Sequence, residues 1–202
     1  MSRHFIGKTL LMPLAVIAFV GLMIVPKAVY PNSQLIVASL LSAYRSYFAV
    51  IDASASIRRL PYDVRQRLAP YYGMQLLGQV RYGESEFLKM GGAAMTDCHS
   101  IYFPSDSGMI DIVEKGHLFE RKYRDDLKWL LHELTHCEQC DEKDGQDAYA
   151  VTWFKEVAAS TITQLFLDPK QVNAQMLHDA MPMEKAAEEK ANRVLKHIIE
   201  SD

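Results

Sequence analysis

Apolar residues recur every three or four positions in the segment that follows Gly116, which is the spacing of one helix face. The pattern predicts a long amphipathic helix that ends at about Gln139. Its apolar face comprises Phe119, Tyr123, Leu127, Leu130, Leu131 and Leu134. The polar loop DEKDGQDA follows, and a second helix is predicted over residues 148–167, before the helix-ending pair Asp168-Pro169.

Shorter elements precede the long helix. Residues 34–51 have a wide apolar face and predict a linker helix. A short helix is expected to open at Leu60-Pro61 and to end or kink at Pro70. A short strand is expected near residues 79–82.

A strand pair is predicted between residues 93 and 113. Residues 101–103 (Ile, Tyr, Phe) are strong strand formers, and residues 104–108 have the composition of a turn. Residues 109–113 are expected to resume extended structure. Helix, small sheet, long helix and second helix, in this order, are typical of an α+β fold.

The N-terminal segment has a different pattern. Arg3 and Lys8 precede residues 9–25, which carry no charge, and this predicts a signal peptide or a signal anchor over residues 1–28. Positive charges before the apolar run place the rest of the chain outside the cytoplasm. We therefore expect a periplasmic or secreted protein, with membrane attachment through residues 9–25 if the segment is retained.

Composition restricts the class of protein. The 202 residues suffice for one ordinary domain and an appendage. We divide the chain into the N-terminal segment 1–28, a linker helix 29–58, a globular domain 59–168 and a peripheral helical tail 169–202. The tail is highly charged and is expected to carry no chemistry. A net charge of -3, with no basic stripe, argues against nucleic-acid binding.

The predicted long helix carries the motif HELTH, from His132 to His136. Residues four apart share a helix face, so both imidazoles can bind one zinc ion. Glu133 then lies beside the metal, where it can take a proton from a zinc-bound water. The motif therefore predicts a zinc site with a catalytic base.

A catalytic zinc usually has three protein ligands and one open position. Glu156 is the preferred third ligand, because it lies in the second helix, 20 positions after His136, and the loop lets the two helices pack antiparallel. Asp147 and Glu142 are weaker alternatives. The alternative interpretation, in which Glu156 is a solvent-exposed helix residue without a metal contact, also stays open.

The expected substrate is a peptide or protein. Residues 96–103 are the natural strand for pairing with an extended peptide. Stabilising the developing oxyanion needs a further donor, and the sequence does not choose among His99, Tyr102, His117 and Tyr149.

Three cysteines offer competing interpretations: Cys98, Cys137 and Cys140. CxxC at the end of a helix argues against a redox motif, because the helix dipole there raises a thiol pKa. In an oxidising compartment Cys98 can pair with Cys137 or Cys140, and we prefer Cys140. Three reduced thiols, or Cys140 as a metal ligand, stay open.

The motifs resemble zincin metallopeptidases of the gluzincin type. More closely, they resemble a small bacterial family of HExxH peptidase domains of unknown function, also found in proteins linked to toxins and contractile injection systems. The resemblance lies in residues 60–81 (LPYDVRQRLAPYYGMQLLGQVR), 93–106 (AAMTDCHSIYFPSD) and 130–139 (LLHELTHCEQ). It implies a minimal zincin-like domain with zinc at His132 and His136 and Glu133 as base.

Two functions are consistent with these residues. The first is a zinc metallopeptidase in which Glu133 activates the zinc-bound water. The alternative is a zincin-like scaffold that binds zinc and interacts with a partner without efficient hydrolysis. An intact Glu133 favours the enzyme. A membrane adaptor with an incidental HELTH motif is a third interpretation, and the sequence does not give the oligomeric state.

Overall fold

The computed structural model describes residues 33–89, 93–167 and 174–201. The predicted signal segment, including the apolar run 9–25, lies outside the described residues. Eight helices follow one another in the described part of the chain: α1 Ser33–Ala53, α2 Tyr62–Tyr72, α3 Met74–Gln79, α4 Met109–Glu114, α5 Arg124–Glu142, α6 Gln146–Leu167, α7 Ala174–Ala180 and α8 Pro182–Ser201. Four strands accompany them: β1 Ala55–Arg59, β2 Arg81–Ser85, β3 Met95–Asp97 and β4 Ser100–Pro104.

The four strands form one mixed sheet in the order β1-β2-β4-β3. The β1–β2 and β3–β4 pairs are antiparallel, whereas β2 and β4 run parallel. β3 is therefore an edge strand of this sheet. The predicted α+β class is confirmed.

Two local predictions were wrong. Residues 109–113 form helix α4 instead of a strand, because Gly108 adopts a left-handed φ of 74° and puts Met109 and Val113 on one buried helix face. The Glu84 carboxylate accepts the backbone N–H of Ile110 at 3.1 Å and so supports the first turn of α4.

The predicted linker helix also has a different end. Residues 55–59 form strand β1, which pairs with β2 over its whole length. The short helix α2 passes through Pro70 and ends at Tyr72, where Gly73 has a φ of 73°.

Helix α5 is buried between the sheet and α8. The buried face that was expected from its leucines is confirmed for Leu127, Leu130, Leu131 and Leu134. In the main core these leucines pack with Tyr82, Ile101 and Phe103 of the sheet and with Ala191, Val194 and Ile198 of α8. Helix α8, which lies in the predicted tail, therefore belongs to the core of the domain.

A hydrogen bond from Tyr72 fixes α2 to α5. The Tyr72 hydroxyl donates to the carbonyl of Leu131 at 2.8 Å and lies 3.1 Å from the Thr135 hydroxyl. Thr135 donates to the same carbonyl at 2.9 Å. The buried Thr135 hydroxyl of HELTH thus has hydrogen-bond partners, and these bonds fix the rotation of α5 about its axis relative to α2.

Helix α1 combines an apolar composition with a partly packed surface. Among the described residues, Gln34–Ala53 is the stretch that is long and apolar enough to cross a membrane. At its C-terminal end, Phe48 and Ile51 are buried against Tyr102 and Leu88. This end of α1 is therefore part of the folded domain.

We predict that Gly83→Ala destabilises the fold, since a Cβ at this position would lie 2.5 Å from the backbone carbonyl oxygen of Ser56. The strands β1 and β2 would have to separate, and we expect the free energy of unfolding to fall by about 1–3 kcal/mol. Urea denaturation followed by circular dichroism measures the change.

Gly78→Ala in α3 is the matched control, because a Cβ there meets nothing within 4 Å. Equal stability of the two variants would contradict the close approach of β1 to β2.

Candidate metal centre

His132 and His136 lie one turn apart on α5 and point to a common space. Their Nε2 atoms are 3.0 Å apart. The leucine face of α5 fixes this orientation, because the apolar residues occupy the other side of the helix. The arrangement that the HELTH spacing predicts for the two imidazoles is therefore present.

The carboxylate that joins them is that of Glu184 in α8. Its Oε2 atom lies 3.1 Å from the Nε2 atoms of both His132 and His136. The three ligand atoms lie within 4.8 Å of one another, and the group could hold a metal ion. Ligands of a tetrahedral zinc ion lie about 3.3–3.4 Å apart for bonds of about 2.0–2.1 Å, so the spacing fits with little movement.

Glu156, which we expected to be the third ligand, contacts a different group. Its Oε2 atom accepts the backbone N–H of Met183 at 2.8 Å. Of the weaker candidates, Asp147 pairs with Arg45 and Glu142 is exposed. The structure thus brings Glu184, a residue of the predicted tail, to the histidines, and does not bring Glu156 there.

The sequence did contain a signal for Glu184. At 100° per residue, Glu184 lies on the same side of α8 as Ala187, Ala191 and Ile198, all of which are buried. An acidic residue on an apolar helix face needs a buried partner. The pattern indicates a charged contact inside the domain, although it does not identify the histidines.

Met183 links the supports of the site. Its N–H is bound by Glu156, and its carbonyl accepts the side-chain amide of Gln139 at 3.0 Å. Because the Gln139 amide nitrogen donates to Met183, the Oε1 atom of Gln139 must face His136 Nδ1, at 2.9 Å. Oε1 can only accept, so the Nδ1 atom of His136 carries the proton of this hydrogen bond. The Nε2 atom of His136 is consequently the nitrogen that can bind a metal.

His132 also has a carboxylate behind its ring. The Nδ1 atom of His132 lies 3.7 Å from Glu188 Oε2. Glu188 pairs with Lys128 and accepts the side-chain amide of Asn192 at 3.1 Å. This places negative charge behind the ring nitrogen that faces away from Glu184, as is common for metal-binding histidines.

Electrostatic coupling within the group is strong. Burial opposes the imidazolium of His136, but Glu184, assisted by Glu133 and Gln139, raises its pKa to about 9. Burial likewise opposes ionisation of Glu184, and the neighbouring histidines nevertheless hold the pKa of its carboxyl well below the ordinary value. Without a metal, a proton on His136 compensates the buried carboxylate.

Glu133 is buried beside this group. Its Oε2 atom accepts the hydroxyl proton of Thr96, a residue of the edge strand β3, at 2.6 Å. The Glu133 charge contributes to the raised pKa of His136, which is consistent with a position next to the imidazoles. A buried carboxylate therefore lies near His136 without belonging to the group of three ligand atoms.

The four expected oxyanion donors are separated by the fold. His99 pairs with Asp141 at 2.8 Å, Tyr102 donates to Asp52 at 2.8 Å, and His117 pairs with Glu120 and stacks on Tyr123. Tyr149 is buried with its ring centroid 6.5 Å from that of His136. Burial and nearby carboxylates raise the pKa of Tyr149 well above its ordinary value, so its hydroxyl stays protonated.

The preferred disulfide, Cys98–Cys140, is present, with a Cα–Cα distance of 5.3 Å. Cys98 lies in the turn between β3 and β4, and Cys140 lies near the end of α5. The bond ties the turn after the edge strand to α5 and excludes Cys140 as a thiolate ligand. Cys137 is a free buried thiol in the core.

No protein-family model, curated protein or solved structure matches this chain. The arguments for its function therefore come from the residues of the site.

We predict that Glu184→Gln weakens zinc binding by more than about 100-fold, since the loss of an outer partner alone costs about 10–100-fold. Glu156→Gln should fall within that smaller range, because it only loosens the Met183 support of Glu184. Competition with a chromophoric chelator measures both affinities.

Glu189→Gln is the matched control, because Glu189 is an exposed residue of the same helix. If Glu156→Gln binds zinc more weakly than Glu184→Gln, the assignment of the two carboxylates is reversed.

The metal-free protein should lose stability at alkaline pH. His178, a residue of α7, also contacts the Glu184 carboxylate. The pKa values of His136 and His178 are each raised from 6.5 to about 9, so both histidines bind protons more tightly in the folded protein. The resulting stabilisation is full below pH 6.5 and is lost as the pH rises through about 9. Melting in the presence of a chelator measures it.

Glu184→Gln removes the carboxylate that raises both pKa values. Its melting temperature should depend less on pH across the same range, and a dependence as steep as in the wild type would contradict the linkage.

Proposed function

We propose that the chain is a zinc-dependent peptidase in which Glu133 activates a zinc-bound water. The observation that carries this proposal is the buried Glu133 carboxylate, which Thr96 holds next to the group formed by His132, His136 and Glu184. A site that only stores a metal needs the three ligands but has no use for a fourth, oriented carboxylate.

The donor set favours zinc. Two imidazole nitrogens and one carboxylate oxygen are ligands that zinc accepts in tetrahedral geometry, and this set leaves one of four positions for water or substrate. When bound, zinc would polarise the scissile carbonyl and lower the pKa of that water.

Glu133 would act as the general base. Its carboxylate would take the proton of the attacking water and pass it to the leaving amine. The hydrogen bond from Thr96 occupies Oε2 and restricts the carboxylate to one orientation, so Oε1 is the oxygen available for the water.

The edge strand supports a peptide as the substrate class. β3 has β4 on one side only, and its residue Thr96 contacts the proposed base. An extended peptide that pairs with the outer side of β3 would run past Thr96, which contacts Glu133. The protonated Tyr149 beside His136 is suited to stabilise the oxyanion that forms on the scissile carbonyl.

We further propose that the protein acts outside the cytoplasm. The disulfide between Cys98 and Cys140 supports this localisation, because such bonds persist in oxidising compartments. The apolar run 9–25 behind Arg3 and Lys8 supports the same direction of export.

The test is a comparison of wild type with Glu133→Gln. We expect the variant to retain stoichiometric zinc and to lose peptide cleavage by about 10²–10⁴-fold, because the base is removed while the ligands stay. Cleavage of a peptide library by the zinc-loaded full chain, with products identified by mass spectrometry, measures the loss.

Asp125→Asn, an exposed position on the same helix, controls for the loss of one charge. Should Glu133→Gln cleave as fast as this control, the proposed role of Glu133 is excluded. Should the zinc-loaded wild type leave the whole library intact, the zinc-binding scaffold becomes the better interpretation.

A further inference from the structure

A third imidazole reaches the same carboxylate oxygen. His178, on the short helix α7, places its Nε2 atom 3.0 Å from Glu184 Oε2. His132 and His136 contact this oxygen at 3.1 Å. Three imidazole nitrogens thus converge on one oxygen atom.

The other nitrogen of His178 also has a partner. Its Nδ1 atom lies 3.2 Å from Asp179 Oδ1 and can donate a proton to it. The neutral ring then keeps its lone pair on Nε2, the atom that faces the site. His178 therefore has the same division of roles as His136, with one nitrogen bonded outward and the other directed inward.

His178 approaches the site from the solvent side. Its side chain is 48% exposed, compared with 14% for His132, 6% for His136 and 7% for Glu184. Its ring is nearly parallel to that of His132, with centroids 6.3 Å apart. His178 therefore lies at the exposed side of the group.

Helix α7 is seated more shallowly than the segment that follows it. None of residues 176–180 is buried, whereas Met181 and Met183 are 1% and 5% exposed. Pro182 starts α8 directly after Met181. Displacement of α7 about this junction would move His178 and leave Glu184 in its core position.

We infer that His178 is a displaceable fourth protein ligand of the metal ion. Three imidazole nitrogens and one carboxylate oxygen complete a tetrahedral set, which leaves no position for water. In this resting state the ion would have four protein ligands and no coordination position for water or substrate. When α7 moves outward, a water oxygen replaces His178 Nε2 on the ion, and no electron is transferred.

This inference rests on the metal binding of the proposed function but not on peptide hydrolysis. The ligand atoms of His132, His136 and Glu184 all lie within 4.8 Å of one another, and His178 does not belong to this group. The inference therefore requires His178 to move closer to the two histidines. Binding of the ion supplies the attraction for that movement.

Zinc X-ray absorption of the zinc-loaded full chain tests the inference by counting imidazoles. We expect three in the wild type, and two with an added light oxygen ligand in His178→Ala. The variant should also lose its zinc to a chelator about 10-fold faster or more, since one protein ligand is missing. His197→Ala, an exposed position on α8, should keep three imidazoles.

Two imidazoles in the wild type, or an unchanged count in His178→Ala, would overturn the inference. Peptide cleavage gives a second readout, because removal of a blocking ligand should make His178→Ala faster than the wild type. A slower His178→Ala that keeps its zinc would instead give His178 a part in the reaction, and would also overturn the displaceable ligand.

The two proposals fail in different ways. If no variant cleaves any peptide while the count falls from three to two in His178→Ala, the peptidase is excluded and the fourth ligand stands. If Glu133→Gln abolishes cleavage while the count stays at two throughout, the peptidase stands and the fourth ligand is excluded.

Discussion

The burial of the Glu184 carboxylate is the constraint on which this domain depends. A buried charge costs several kcal/mol unless oppositely charged or hydrogen-bonding groups compensate it. Here three imidazoles surround one carboxylate oxygen. Protons on His136 and His178 compensate the charge when no metal is bound, and a divalent ion could replace those protons. A metal ion at this group would therefore compete directly with protonation of the imidazoles.

Placing that carboxylate requires support from two other helices. Gln139 of α5 and Glu156 of α6 hold the carbonyl and the N–H of Met183, the residue before Glu184. Gln139 also orients the ring of His136. One side chain therefore positions the candidate ligand His136 and the backbone next to the candidate ligand Glu184. On the opposite side, the disulfide and Thr96 tie the sheet edge to α5. The metal group and the proposed base are thus positioned by separate contacts to the same helix.

Local features of the sequence were sufficient for much of this arrangement. The spacing of HELTH predicts two imidazoles on one face, and the leucine pattern predicts which side of α5 is buried. The α+β class also follows from the order of these elements. The Cys98–Cys140 pair was only the preferred one of two possible pairings, because the sequence does not show which cysteine of α5 faces Cys98. Strand β1 and helix α4 were missed, because their conformations depend on partners elsewhere in the chain. β1 is defined by its pairing with β2, and the first turn of α4 is supported by Glu84.

Glu184 shows why spacing alone did not identify the carboxylate that contacts the two histidines. Glu156 lies 20 positions after His136, the interval used to predict it as a ligand. The interval shows that a carboxylate is present on the next helix, but it does not show which face of that helix is turned towards the histidines. Glu184 lies 48 residues beyond His136, and its position is determined by the packing of α8 against α5. Its local environment was the better guide, because an acid among the buried alanines of an apolar face must meet compensating charge. In this chain, the buried position of Glu184 is therefore more informative about the partner of the histidines than the interval between His136 and Glu156.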